Sequence, residues 1–242
     1  MTADREEMRR NIDEVRSRIA ASATRSGRNP DDVSLIAVTK TVEVEQIRWA
    51  FELGVRELGE NYVQELHRKR DEIGTGTWHF IGTLQSGTAH RVADHADVVQ
   101  TVAGERAARR LAGRAARSGR TLDSLIEVDL TEGRTGVPPA ELPALADLVA
   151  SLEGLRLIGL MTVPAIGKTA EDARASFARL RRLRDGIRED HPDVLALSMG
   201  MSLDYEVAVE EGATMVRIGT ALFGPRRTRH QEDQTRNREE PI

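Results

Sequence analysis

The chain has 242 residues, 39% hydrophobic and 31% charged, and its 35 basic and 39 acidic side chains leave a net charge of −4. That balance carries no electrostatic footprint for nucleic acid, and 3% aromatics leave no platform for stacking bases. The absence of cysteine removes disulfides, thiolate metal sites and cysteine nucleophiles, and no apolar run approaches membrane-spanning length.

Met8, Ile12, Val15 and Ile19 fall at helical spacing, so residues 3 to 26 read as an amphipathic helix ended by Gly27. This charged opening lacks the apolar core of a signal peptide, and a cytoplasmic protein is expected. Val33 to Val38 is an apolar, partly β-branched run that ends on Thr39-Lys40, the pattern of a strand buried on both faces. A helix over 43 to 53, a short strand over 56 to 59 and a helix running to about Ile73 follow. Strands are expected over 78 to 82 and 98 to 102, with helices over 86 to 95 and 104 to 117. A fifth strand spans 122 to 130, and its loop, residues 131 to 136, leads to a Pro-started helix over 139 to 151. The remaining units are a strand over 155 to 163, a helix over 170 to 189, a strand over 194 to 198, a helix over 203 to 211 and a strand over 215 to 218.

Eight strands alternating with helices, with no linker between them, predict a single (β/α)8 barrel over residues 1–225, preceded by an extra N-terminal helix. A doubly wound open sheet is the alternative, but Thr39-Lys40-Thr41 is not the Gly-rich first turn it needs. Residues 226–242 are polar and charged and read as a disordered tail.

In such a barrel the carboxyl ends of the strands share one face, where Lys40, Asn61, Gly82, Arg134, Met161, Ser198 to Ser202 and Gly219-Thr220 converge. Lys40 is either a salt-bridged rim lysine or, with a packed stem and a partly desolvated amine, a nucleophile toward an aldehyde. Ser198, Gly200 and Ser202 after strand seven, with Gly219 and Thr220 after strand eight, offer hydroxyls and close backbone approach for a phosphate. Ser202 is expected to open a helix whose positive end aids an anion, with Asp204 partly opposing it. Arg217 is a charge within a mostly apolar strand. It faces either an interior ligand or the surrounding helices. His79 reads as a packed, hydrogen-bonded residue, and His90 and His95 do not share a helix face, so no metal pair is formed.

A lysine nucleophile, a phosphate cradle and an internal arginine together suggest pyridoxal 5′-phosphate, its aldehyde on Lys40 and its pyridine nitrogen toward Arg217. The motifs Ala37-Val38-Thr39-Lys40-Thr41, Gly59-Glu60-Asn61-Tyr62-Val63-Gln64-Glu65, Trp78-His79-Phe80-Ile81-Gly82, Ser198-Met199-Gly200-Met201-Ser202 and Met215-Val216-Arg217-Ile218-Gly219-Thr220 closely resemble those of the pyridoxal phosphate homeostasis proteins, single-domain relatives of the alanine racemase barrel. The resemblance implies that Lys40 carries a reversible Schiff base and that Arg217 faces the ring nitrogen. It further implies that Ser198, Ser202, Gly219 and Thr220 hold the phosphate while Asn61 lines the ring. Where the family commonly carries further lysines, this chain has Val42 and Arg134; its basic residues near the carboxyl end are Arg226 and Arg227, and Ser86-Gly87-Thr88 follows Gln85 where Asn-Lys is common.

The function expected is a non-catalytic carrier that buffers the cofactor inside the cell and hands it to apo-enzymes, as a monomer without nucleic-acid or membrane partners. The alternative is a weak amino-acid racemase. Racemisation needs a base on each face of the reacting carbon. In alanine racemases the second base comes from an added β-domain, which the 17 residues after Pro225 cannot build. A phosphate-binding barrel of other chemistry, such as an isomerase, is a third reading.

Overall fold

Strand β1 (Ser34–Val38) hydrogen-bonds in parallel to β2 (Glu57–Glu60) on one edge and to β8 (Met215–Ile218) on the other. That double pairing closes the sheet and removes both edges, which excludes the open doubly wound alternative. The structure, a computed structural model, describes residues 4–131, 133–165 and 167–225; the expected tail lies outside the described residues. Between β2 and β8 run β3 (Thr77–Phe80), β4 (Val98–Val102), β5 (Leu122–Glu127), β6 (Leu155–Met161) and β7 (Ala196–Ser198), each parallel to its neighbours in chain order.

The helices are α1 (Arg5–Arg25), α2 (Val44–Glu52), α3 (Val63–Ile73), α4 (Ala89–His95), α5 (Glu105–Arg117), α6 (Leu142–Ser151), α7 (Arg174–Ile187), α8 (Tyr205–Glu210) and α9 (Thr220–Phe223). Three departures from the sequence reading have local causes. Strand β5 stops at Glu127, three residues early, because Val128 leaves to form an isolated bridge with Val137. The helix expected from 170 is a 3-10 turn, Ala170–Ala173, before α7, and a Thr169–Asp172 capping box starts the turn. Helix α9 was not anticipated; Gly219 and Thr220 had read as a continuing loop.

Helix α1 begins at Asp4, whose carboxylate accepts the Glu7 backbone N–H at 2.8 Å. Its buried stripe is Met8, Ile12, Val15, Ile19 and Ala23, and it packs against α8 and α9, where Asn11 Nδ2 donates to the Leu222 carbonyl at 3.1 Å. The helix therefore braces the outer side of the elements that carry the loops after β7 and β8. Ile12 is 1% exposed. Ile12→Ala is expected to cost about 2–5 kcal/mol through lost burial and the cavity left behind, measured by urea denaturation.

Candidate functional site

In a strand, successive side chains alternate between the two faces, so every second residue points into the barrel. At the carboxyl ends this alternation aims Val38 and Lys40, Asn61, Ile81, Glu127, Met161 and Val163, and Arg217 and Gly219 at one cavity of about 500 Å³. Ser202 and Thr220 complete its wall, so six of the seven residues picked from sequence meet there. Ser198 does not line it. Its hydroxyl is fully buried beneath the guanidinium of Arg217.

Arg217 faces the interior and is 4% exposed. One guanidinium nitrogen, Nη1, donates to Ser198 Oγ at 2.6 Å, and Nη2 donates to the Thr162 carbonyl at 2.9 Å. Burial pushes its pKa down to about 10, against the opposing pull of Glu127 and Asp204. The group still carries its charge at neutral pH.

Lys40 sits on a segment tied down at both flanks. The Lys69 ammonium, fully buried on α3, donates to the Thr39 carbonyl at 2.6 Å, to Glu60 Oε1 at 2.8 Å and to Glu65 Oε2 at 2.6 Å. Thr39 Oγ1 donates to Glu60 at 2.6 Å, and the Thr41 N–H donates to Glu65 at 2.9 Å. Thr41 has a φ of +62°, a left-handed conformation that costs a non-glycine residue energy, so these bonds hold a turn the chain would not keep alone. Burial raises the Glu60 pKa despite Lys69 and Thr39, whereas the bonds from Lys69 and Thr41 outweigh burial at Glu65 and lower its pKa.

The loops after β7 and β8 differ from expectation in two respects. Helix α8 starts at Tyr205, so Ser202 does not open it; instead Ser202 Oγ accepts the Ala221 N–H at 3.3 Å, against the first turn of α9. Asp204 is buried, and its carboxylate accepts the Met201 N–H at 2.7 Å instead of lining the cavity. Gly200 has a φ of +92° and a Cβ there would lie 2.5 Å from that of Ala208, so the turn after β7 requires glycine. Gly82 is equally constrained: a Cβ would fall 1.9 Å from the Asn61 carbonyl oxygen.

Glu127 was missed, because a strand drawn to residue 130 left it mid-strand. It lines the cavity, nearly buried, and accepts the Thr135 hydroxyl at 2.8 Å. Burial raises its pKa, with Thr135 and Arg217 pulling the other way. Among the described residues, the buried side-chain oxygens lacking a hydrogen-bond partner are Glu60 Oε2 and Asn61 Oδ1. His79, as expected, is packed and bonded on both ring nitrogens. Among the described residues no cluster of His, Cys, Asp or Glu is placed to hold a metal, and no helix is long and apolar enough to cross a membrane.

The family model of the alanine racemase N-terminal domain matches residues 3–227 of this chain. The pyridoxal phosphate homeostasis protein of Escherichia coli K12 is 41% identical over 230 residues, covering 89% of this chain and 95% of the relative. That of Pseudomonas aeruginosa is 42% identical over 222 residues, covering 89% and 94%. Among solved structures, PipY of Synechococcus elongatus with pyridoxal phosphate bound superposes with a TM-score of 0.77 at 37% identity, covering 85% of this chain and 100% of PipY. The chain belongs to the family of the pyridoxal phosphate homeostasis proteins.

Two outcomes follow from the buried charges. Lys69→Met strands Glu60 and Glu65, and is expected to cost about 3–5 kcal/mol in urea denaturation at neutral pH. The loss should shrink toward acid pH, because burial raises the Glu60 pKa and its protonation removes the stranded charge. For Glu127, a folded pKa above the ordinary 4.5 means the folded chain holds its proton more tightly than the unfolded one. Its contribution to stability is therefore full below that value and lost as pH rises through the raised one. Glu127→Gln should flatten that part of the stability–pH curve.

Proposed function

We propose that the chain binds pyridoxal 5′-phosphate reversibly through the amine of Lys40 and serves its homeostasis as a carrier. The observation that carries this reading is the meeting of an amine, an inward guanidinium and two donor-rich loops around one cavity of about 500 Å³. The site fits the cofactor in one further respect. The orphaned Asn61 Oδ1, on a residue that lines the cavity, is a buried acceptor that a bound donor would satisfy.

When bound, the cofactor supplies an aldehyde that condenses with a lysine amine, releasing water, and an aromatic ring that can take up electrons. Lys40 supplies the amine. Arg217 would present its remaining N–H groups to the ring nitrogen and, keeping its own charge, would favour that nitrogen unprotonated. Ser202, Gly219 and Thr220 hold the phosphate with hydroxyl and backbone donors. Ser198 serves from beneath, through Arg217.

The chain's amines suit this task. It has three lysines, 40, 69 and 168, against 32 arginines, which form no stable imine under these conditions. Lys69 is fully buried and ion-paired and Lys168 lies on the surface, so Lys40 is the amine in the cavity. The carrier reading is favoured over the racemase because no tyrosine or histidine occurs among the described residues lining the cavity. Tyr62, on the rim, is 56% exposed. A monomer that passes the cofactor to apo-enzymes completes the reading.

Titration with pyridoxal 5′-phosphate should produce a visible absorption band that Lys40→Ala lacks. Borohydride reduction followed by peptide mapping should place the label on Lys40, with Lys168 as the exposed control. Incubation with L-alanine should leave its optical activity unchanged. A band that survives Lys40→Ala would overturn the site, and robust racemisation would overturn the carrier.

A further inference from the structure

Below the cavity, polar side chains run end to end down the barrel interior. Arg217 Nη1 meets Ser198 Oγ at 2.6 Å, Ser198 Oγ meets Gln100 Oε1 at 2.7 Å, Gln100 Nε2 meets His79 Nδ1 at 2.9 Å, and His79 Nε2 meets Glu57 Oε2 at 2.5 Å. The residues come from β8, β7, β4, β3 and β2 in turn. Ser198, Gln100 and His79 are at most 1% exposed. Glu57, at the foot of β2, opens onto a separate cleft of about 440 Å³ beside the amino ends of β1 and β2.

We infer that Ser198, Gln100 and His79 are positioning residues for Arg217 and that their hydrogen bonds run in one fixed direction. The direction follows from the donor inventory and the contacts: Ser198 Oγ is fully buried and, among the described residues, its hydroxyl meets only Arg217 and Gln100, so its hydrogen is satisfied only by Gln100. A guanidinium can only donate, so Ser198 Oγ must accept from it. The single hydroxyl hydrogen of Ser198 then goes to Gln100, and the atom that receives it must be the carbonyl oxygen. This turns the Gln100 amide so that its NH2 group faces His79, and Nδ1 must present a lone pair there. The ring hydrogen is thereby confined to Nε2, where the Glu57 carboxylate accepts it. A permanent charge at one end thus sets the tautomer of a histidine three side chains away.

The consequence for the site is mechanical. With Nη1 anchored on Ser198 and Nη2 on the Thr162 carbonyl, the guanidinium plane has two fixed points, and the rest of the fork is held toward the cavity. Breaking the chain at Gln100 leaves the Ser198 hydroxyl and His79 Nδ1 without partners inside the barrel. Both would then compete for other groups and let Arg217 swing. This last step rests on the reading of the cavity as the pyridoxal phosphate site, whereas the direction of the relay does not.

The test has two arms. In the first, protein labelled with 15N-histidine and free of cofactor is read by NMR. Wild type should show His79 with a protonated Nε2 and a bare Nδ1. Gln100→Glu, which puts an acceptor where the amide NH2 stood, should move a proton onto Nδ1. A wild-type His79 protonated at Nδ1, or a Gln100→Glu spectrum identical to wild type, would overturn the direction. In the second arm, Gln100→Leu should keep the Lys40-dependent band but shift its position and release the cofactor at least about tenfold faster. Ser198→Ala provides the same reading if that variant does not fold. Unchanged band and release in the folded variant would overturn the positioning role. A wild type that gives no Lys40-dependent band would sink the cofactor reading, and the first arm is scored without it.

Discussion

A guanidinium that cannot shed its charge has been placed inside a closed barrel, and much of the interior answers to it. A buried charge is tolerable only where it is paired or richly hydrogen-bonded. Arg217 meets that condition with a hydroxyl, a carbonyl and the fields of Glu127 and Asp204. The hydroxyl then needs Gln100, and Gln100 needs His79. Val98, Leu125, Met161 and Ala196 form a small buried apolar cluster of their own.

Lys40 is held by a second, independent arrangement on the neighbouring strand and helix. Lys69, Glu60 and Glu65 grip the backbone on either side of it, so the aim of Lys40 does not depend on the chain below Arg217. The two arrangements share strand β2 but no hydrogen bond, and they face each other across the cavity. A ligand bridging Lys40 and Arg217 would therefore span two separately stiffened walls, a condition for binding without much ordering cost.

The order of strands was legible because parallel strands buried on both faces give short apolar runs, and β4 and β8 fell where the runs did. The site was legible wherever a polar residue closed such a run, as at Lys40. It was not legible where a strand end was misjudged. Drawing β5 to residue 130 hid Glu127, although the two-residue alternation from Leu125 would have turned it inward. The partners of Ser198 were hidden for another reason. Gln100 and His79 lie in different strands, and nothing within either strand tells which residues another strand will bring opposite. Helix α9 was lost to its length, since four residues carry no periodicity.

The distribution of charge around the cavity bears on the choice between holding and catalysing. The wall formed by Ser202, Gly219 and Thr220 offers hydroxyl and backbone donors, while Arg217 is committed beneath it and Arg134, on the rim, donates to the Pro164 carbonyl. A neutral donor on an anionic phosphate already makes a charge-assisted hydrogen bond, but it lacks the net charge and the bidentate geometry of an arginine fork. A dianionic phosphate set among neutral donors is held less tightly than one clamped by arginines. In the proposed binding mode, an arginine facing the ring nitrogen would likewise withhold the proton that makes the ring a strong electron sink. Both features would weaken what a catalyst needs and keep what the proposed reversible holder needs, an amine that can form a bond and water can reopen.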